Sequence, residues 1–567
     1  MSPHRNDLVS DAALVAVIGC AVLVTGTLWL WGGLAGALFG SGWPHVGGSE
    51  LLGILVRLPS RLTDPARAWP PAVRHGLPGP GGFYAALGLL AGAGGTVALA
   101  LARSGGGALA RLSGGRGATW ARPSELRVLR RTSRSGRSGR LVLGRRGARL
   151  LYAEHRHALV AFGPPQSGKS AGIAIPVLLD WNGPAVACSI KTDLLAATLA
   201  RRRALGEALV FDPFELAQLP SQTWSPLRGA ATWDGALEVA WRLASAAEVD
   251  RRGVEGGDFW AVAAEQRLAP LLFTAAAGGA GMDSVIRWVH GQGARELDET
   301  LMRISGEAEN EARAVDAYAA YDAVRAFEAQ ADRTRTSIEA TAQTLLRAYR
   351  FQRVLRSAAS SEITPDRLLD GPNTLYLIAD AKASKLLRPL FLALLGEVVD
   401  RAYERATLAG GRLERPLLLC LDEAGNVAPL PNLAEIASTA PSHNIQLVTI
   451  FHDLAQARSR YGQQAETVVN SHRARMLLPG VADLETLRYF AGLVGEEETR
   501  DRTHTSGAGG TTRSTSRRRR PLIAPEALRQ LPDKHALLLY GRIAPTRLRL
   551  RLWFEDRRLR MLARGAP

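Results

Sequence analysis

The chain has 567 residues, 46% of them hydrophobic, and 70 Lys and Arg against 53 Asp and Glu, for a formal charge of +17. That length holds roughly three or four domains, and the apolar content excludes a disordered chain. Three cysteines, Cys20, Cys188 and Cys420, exclude a disulfide framework, and two of them lie in runs that read as buried strands, which suits a reducing compartment.

The first element is an uncharged run from Ala12 to Leu30, with Trp29 and Trp31 at its end, and the second is an uncharged run from Phe83 to Ala102. Both have the length and composition of a transmembrane helix with interfacial aromatic residues. A cleaved signal peptide fits the first run less well, because the run is long, only Arg5 makes a basic leader and no small-residue cleavage site ends it. The loop at 43–82 carries four arginines, whereas 103–149 carries thirteen against the single acid Glu125. The positive-inside rule then places both termini in the cytoplasm. Residues 1–105 are thus expected to anchor the chain in the cytoplasmic membrane with a short extracytoplasmic loop. Gly32, Gly36 and Gly40, and Gly88 and Gly92, have a spacing that permits close helix packing. Residues 106–149 read as a basic juxtamembrane linker facing anionic lipid, with nucleic acid as the alternative.

From about Leu150 short apolar strands alternate with helical patterns, which predicts an α/β domain with a mostly parallel sheet. The strands are HALVAF (157–162), AVACSI (185–190), EALVFD (207–212), TLYLIAD (374–380), PLLLCLDE (416–423), IQLVTIF (445–451), RARMLL (473–478) and HALLLY (535–540). Residues 150–279 and 366–567 are expected as the two parts of one nucleotide-binding domain. Between them, residues 280–365 are alanine-rich and carry opposite charges four residues apart, the pattern of an inserted all-α domain.

The first strand runs into FGPPQSGKSA, in which Gly163, Pro164, Pro165, Gln166, Ser167, Gly168, Lys169, Ser170 and Ala171 meet the G-x-x-x-x-G-K-[ST] pattern. Such a loop cradles phosphate with backbone N–H groups, its lysine reaches the β/γ-phosphates and its hydroxyl reaches Mg²⁺. Proline has no N–H, but both prolines sit where the chain leaves the strand. The donors are expected from Ser167 to Ala171, at a helix N-terminus. ATP and Mg²⁺ are the cofactors this predicts. In PLLLCLDEAGN, four apolar residues lead to Asp422 and Glu423 at a strand's C-terminal end, where open α/β sheets bind ligands. Asp422 is expected in the Mg²⁺ shell opposite Ser170, with Glu423 orienting and deprotonating the attacking water.

With CSIKTDL (188–194), LVFDPF (209–214), WSPL (224–227), GDFWAVAAEQRLAPLL (257–272), LLLCLDEAGNVAPLPNL (417–433), HDLAQARSRYG (452–462) and Asn470, the chain resembles the coupling proteins of type IV secretion and conjugation, the TraG/TraD group, relatives of the FtsK-like and HerA-like pumps. The resemblance implies a membrane-anchored, hexameric RecA-like P-loop ATPase with an inserted all-α domain. It also implies recruitment of DNA with its relaxase, or of effector proteins, to a type IV secretion channel. A double-stranded DNA pump of the FtsK kind and a non-hydrolysing substrate receptor are the other readings. In this pattern His452 stands where the first glutamine of a γ-phosphate-sensing pair is usual, and Gln456 keeps the second. APSHNIQ offers His443, or no residue, for an arginine that reaches a neighbour's nucleotide, and Ser189 replaces an acid. Finally, TRSTSRRRR (512–520) is expected as a flexible loop whose Arg517, Arg518, Arg519 and Arg520 contact DNA phosphates.

Overall fold

Apolar runs that are buried on both faces need a layer of helices on each side of their sheet, and the computed structural model of the chain has this arrangement. It describes residues 24–105, 117–130, 139–251, 257–307, 311–507 and 510–565, in two units, Met1–Arg116 and Gly117–Pro567.

The second unit is built on one eleven-stranded sheet. Its strands are β1 (Val142–Arg146), β2 (Arg149–Tyr152), β3 (Leu159–Phe162), β4 (Ala185–Ser189), β5 (Ala208–Phe211), β6 (Thr374–Ile378), β7 (Leu417–Leu421), β8 (Ile445–Phe451), β9 (Ala474–Leu477), β12 (His535–Tyr540) and β13 (Ile543–Arg549), in the order β2-β1-β13-β12-β9-β3-β8-β7-β4-β6-β5. From β9 to β5 neighbouring strands are parallel, and β12, β13, β1 and β2 extend that sheet antiparallel. Strands β3, β4, β6, β7 and β8 are buried throughout. Alternate residues feed two cores, one on each face: Val160 and Phe162 belong to one, Leu159 and Ala161 to the other.

Every expected strand is present within a residue or two. The expected linker differs: Leu141, Val142 and Leu143 are buried, and 142–146 form β1 inside the sheet. Its segments 106–116 and 131–138 lie outside the described residues. The helical stretch between β5 and β6 also begins earlier than position 280, with Trp233–Arg251 and Gly257–Gly278. These helices share one core with the helix Ala381–Leu408 and the sheet, which is why no break in apolar pattern marks a boundary. The arginine-rich segment is not a loop. β10 (Glu496–Gly507) and β11 (Gly510–Pro521) pair along their whole length as an antiparallel ribbon. The register sets Glu497 opposite Arg520 and Glu498 opposite Arg519, so cross-strand charges stabilise pairing that an isolated basic tract would resist.

In the first unit, 24–39 is helical and a second helix spans Pro80–Gly105. Trp31 Nε1–H donates to the Phe83 carbonyl at 2.7 Å, and Trp69 packs on both rings. A Cβ on Gly32 would lie 2.6 Å from the Trp69 ring, and one on Gly40 2.3 Å from the Gly76 carbonyl. These glycines therefore serve close packing within the chain. Among the described residues no helix is long and apolar enough to cross a membrane. The first apolar run lies outside the described residues up to position 23, as do the side chains of 97–105.

Candidate functional site

Parallel strands β3, β7 and β8 end at one edge, and the loops that follow them bring the predicted residues together. Gly163 N–H donates to the Phe451 carbonyl at 3.1 Å, tying the start of the loop to β8. A Cβ on Gly163 would meet Ser167 Oγ at 2.5 Å and Leu478 Cβ at 3.0 Å, so a larger residue there would have to turn Ser167 and press on Leu478. Gly168 turns the chain at φ +90, a region open to glycine. The Pro164 carbonyl accepts from Ser167 N–H at 3.3 Å and from Lys169 Nζ at 2.9 Å, so the first of the expected donors is turned to the loop itself. After Lys169 the chain makes a π-helical turn, Ser170–Ala174, and continues as the helix Ile175–Asp180. Leu550 packs on Gly172, and Trp553 N–H donates to the Ala171 carbonyl at 3.1 Å.

Lys169 is buried, and burial lowers its pKa, with Asp422 and Glu423 opposing the shift. Its ammonium also donates to the Gly163 carbonyl at 2.5 Å and lies 3.1 Å from His452 Nδ1. Ser170 Oγ donates to Asp422 Oδ2 at 2.6 Å. Burial pushes the Asp422 carboxyl up to about 6, against the Ser170 hydrogen bond. Its other oxygen, Oδ1, is buried without a hydrogen-bond partner. A desolvated carboxylate oxygen beside a serine hydroxyl is a hard-oxygen donor set, and it fits Mg²⁺.

Glu423 lies in the left-handed region, at φ +62, where a side chain other than glycine, asparagine or aspartate is uncommon. Asn426 Nδ2–H donates to Glu423 Oε2 at 3.1 Å, and His452 Nε2 faces the same oxygen at 3.9 Å. Asn426 was not singled out in the sequence, although it is the last residue of the DEAGN run. The Gln456 side chain lies beside Gly425, 3.0 Å from a Cβ built there. Its Oε1 accepts from His452 N–H at 2.8 Å, bracing the chain just past β8. Ser189 Oγ accepts from Lys191 N–H at 3.2 Å. His443 precedes β8, at the opposite edge of its own sheet, and contacts Tyr403, Ser442 and Thr439; the role expected of it is toward a neighbouring copy. Arg518, Arg519 and Arg520 are exposed on β11, and Arg520 Nε pairs with Glu497 at 2.7 Å. The Arg517 side chain lies outside the described residues.

A sequence model of the family "Type IV secretory system Conjugative DNA transfer" matches residues 122–565. The conjugal transfer protein TraG of Escherichia coli is 24% identical over 412 residues, 66% of this chain and 62% of that protein. Protein VirD4 of Rhizobium rhizogenes is 22% identical over 427 residues, 73% of this chain and 61% of that protein. The chain thus spans less than two thirds of the length of these relatives. Among solved structures, the unbound bacterial conjugative coupling protein TrwB superposes with a TM-score of 0.56 at 18% identity, covering 77% of this chain and 94% of that one. TrwB in complex with ADP and Mg²⁺ gives 0.55 at the same identity and coverage.

Proposed function

The chain belongs to the type IV secretory system conjugative DNA transfer family, and on that premise we propose that it is a membrane-anchored P-loop ATPase that delivers DNA with its relaxase, or protein substrates, to a type IV secretion channel. The observation that carries this reading is the contact of Ser170 with Asp422 across the edge from Lys169. It brings together residues some 250 positions apart, which supports reading them as one phosphate and metal site.

In this reading ATP is held at the start of the helix after Gly168, where free N–H groups and the positive end of the helix dipole meet the phosphates. Lys169 exchanges its loop carbonyls for the β/γ-phosphates. Ser170 and Asp422 would hold Mg²⁺, which when bound neutralises charge developing on the phosphates. Glu423 takes the proton of the attacking water. TrwB with ADP and Mg²⁺ supports the nucleotide assignment by its fold.

Residues 1–105 are read as the anchor, with two spanning helices and both termini cytoplasmic. The uncharged runs and the arginine excess at 103–149 support this. The working form is a homo-oligomer, a hexamer by resemblance, which moves its cargo by ATP hydrolysis. The test is mating: in a donor strain that lacks its own copy, the wild-type chain should restore plasmid transfer and Lys169→Ala should not. Equal transfer with both would overturn the proposal.

A further inference from the structure

Two ring nitrogens of one histidine face two functional groups of the site. Lys169 Nζ is 3.1 Å from His452 Nδ1, and Glu423 Oε2 is 3.9 Å from His452 Nε2. An ammonium has only protons to give, so toward Lys169 Nδ1 accepts, and a neutral imidazole that accepts at Nδ1 carries its proton on Nε2; the Gly163 carbonyl, which would favour a ring proton, already accepts from Lys169 Nζ at 2.5 Å. The proton is then on the side of the carboxylate. Other groups fit this state: burial and the Lys169 charge disfavour a second proton on the ring, outweighing Glu423, Asp453 and the backbone at Gly163. The main chain of His452 is itself fixed, because Gln456 holds its N–H.

The geometry points to His452 as a positioning residue that links the phosphate-loop lysine to the Glu423 carboxylate, so that Lys169 decides which ring nitrogen carries the proton and what faces the base. In the resting chain Glu423 Oε2 then has two donors near it, Asn426 Nδ2–H in hydrogen-bond contact and His452 Nε2–H within a short ring movement. When Lys169 turns to a phosphate, Nδ1 loses its donor. The ring is no longer held in one tautomer, and Glu423 is released toward water. No bond is made or broken on the histidine. The inference rests on the reading of Glu423 as general base.

The test has an arm that needs no turnover. The full chain is labelled with ¹⁵N-histidine, and the His452 signals are taken as wild type minus His452→Gln. They should show Nδ1 unprotonated and Nε2 protonated, and Lys169→Met should give a mixture of tautomers. The opposite tautomer, or no response to Lys169→Met, overturns the linkage.

In the kinetic arm, His452→Asn keeps an acceptor near Lys169 but does not reach Glu423. It should lower kcat by about 3–10-fold and leave affinity for a non-hydrolysable ATP analogue within about twofold. In a Glu423→Gln background the same change should alter the residual rate by less than about twofold, because the histidine acts through the glutamate. If His452→Asn instead weakens the analogue by more than about tenfold and leaves ADP binding intact, the ring contacts the terminal phosphate and the positioning role is overturned. Absence of hydrolysis by the unaltered chain would sink the ATPase reading alone, since the tautomer response needs no hydrolysis.

Discussion

Glu423 is held at φ +62, a backbone state that costs a non-glycine residue of order 1 kcal/mol or more and persists only where surrounding structure imposes it. The buried strand β7 on one side and the Asn426 turn on the other impose it here, and the result aims the carboxylate back toward His452. Replacing it with glutamine keeps the shape and removes the base. Glu423→Gln should therefore retain ATP affinity while kcat falls by about 10²-fold or more, whereas Lys169→Ala should lose binding itself. Filter binding and steady-state hydrolysis separate the two. Asp422, Glu423, Lys169 and Ser170 were legible because each occupies a motif position. Asn426 was not, because its role depends on a turn geometry that no spacing rule encodes.

A second residue makes a pH prediction. His472 is buried, Nδ1–H donates to the Val468 carbonyl at 2.7 Å, and Nε2 lies 3.0 Å from Thr449 Oγ. Burial lowers its pKa to about 4, while in the unfolded chain it returns to about 6.5. Between those values the unfolded state binds the extra proton. This contribution to stability is thus complete above about pH 6.5 and declines as pH falls toward 4, by about 3 kcal/mol in all. Urea midpoints measured across that range should fall less steeply for His472→Gln than for wild type, and equal slopes would remove His472 as the cause.

At the scale of elements, strands buried on both faces were readable as continuous apolar runs. The missed strands are β1, β2 and β13, at the antiparallel end of the sheet, and the two strands of the ribbon. β13, IAPTRLR, alternates buried Leu548 with exposed Arg547 and Arg549, so its signal is the period of two rather than an apolar run. β10 and β11 carry almost no apolar residues, and their register sets Glu497 and Glu498 opposite Arg520 and Arg519 but also Arg500 opposite Arg517, so neither apolar period nor charge marks them as strands. That register also changes what the arginine tract can do. Since Arg520 is paired with Glu497, changing Arg517, Arg518, Arg519 and Arg520 to Ser should flatten the slope of log K against log salt for DNA by about three units rather than four. Hydrolysis without DNA should be unchanged. Fluorescence anisotropy over a salt series reads the slope, and an unaltered slope would mean that the ribbon is not on the DNA path.

At the scale of the whole molecule, the charge asymmetry about residues 43–82 and 103–149 makes a topological prediction that the fold of 117–565 does not address. Alkaline phosphatase fused near Pro70 should be active and near Gly115 inactive. The reverse pattern would place the phosphate loop on the wrong side of the membrane for cytoplasmic ATP and would refute the anchor as drawn.

The contact of Leu550 and Trp553 with the helix that follows Lys169 also bears on timing. The phosphate loop leaves the ribosome early, but one wall of it is made by a segment synthesised roughly 400 residues later, on the order of tens of seconds at usual rates. A nascent chain therefore carries the whole motif without a finished pocket. A chain ended before position 550 should accordingly retain less of an ATP analogue on a filter than the full chain although every motif residue is in place, and equal retention would remove that wall from the pocket.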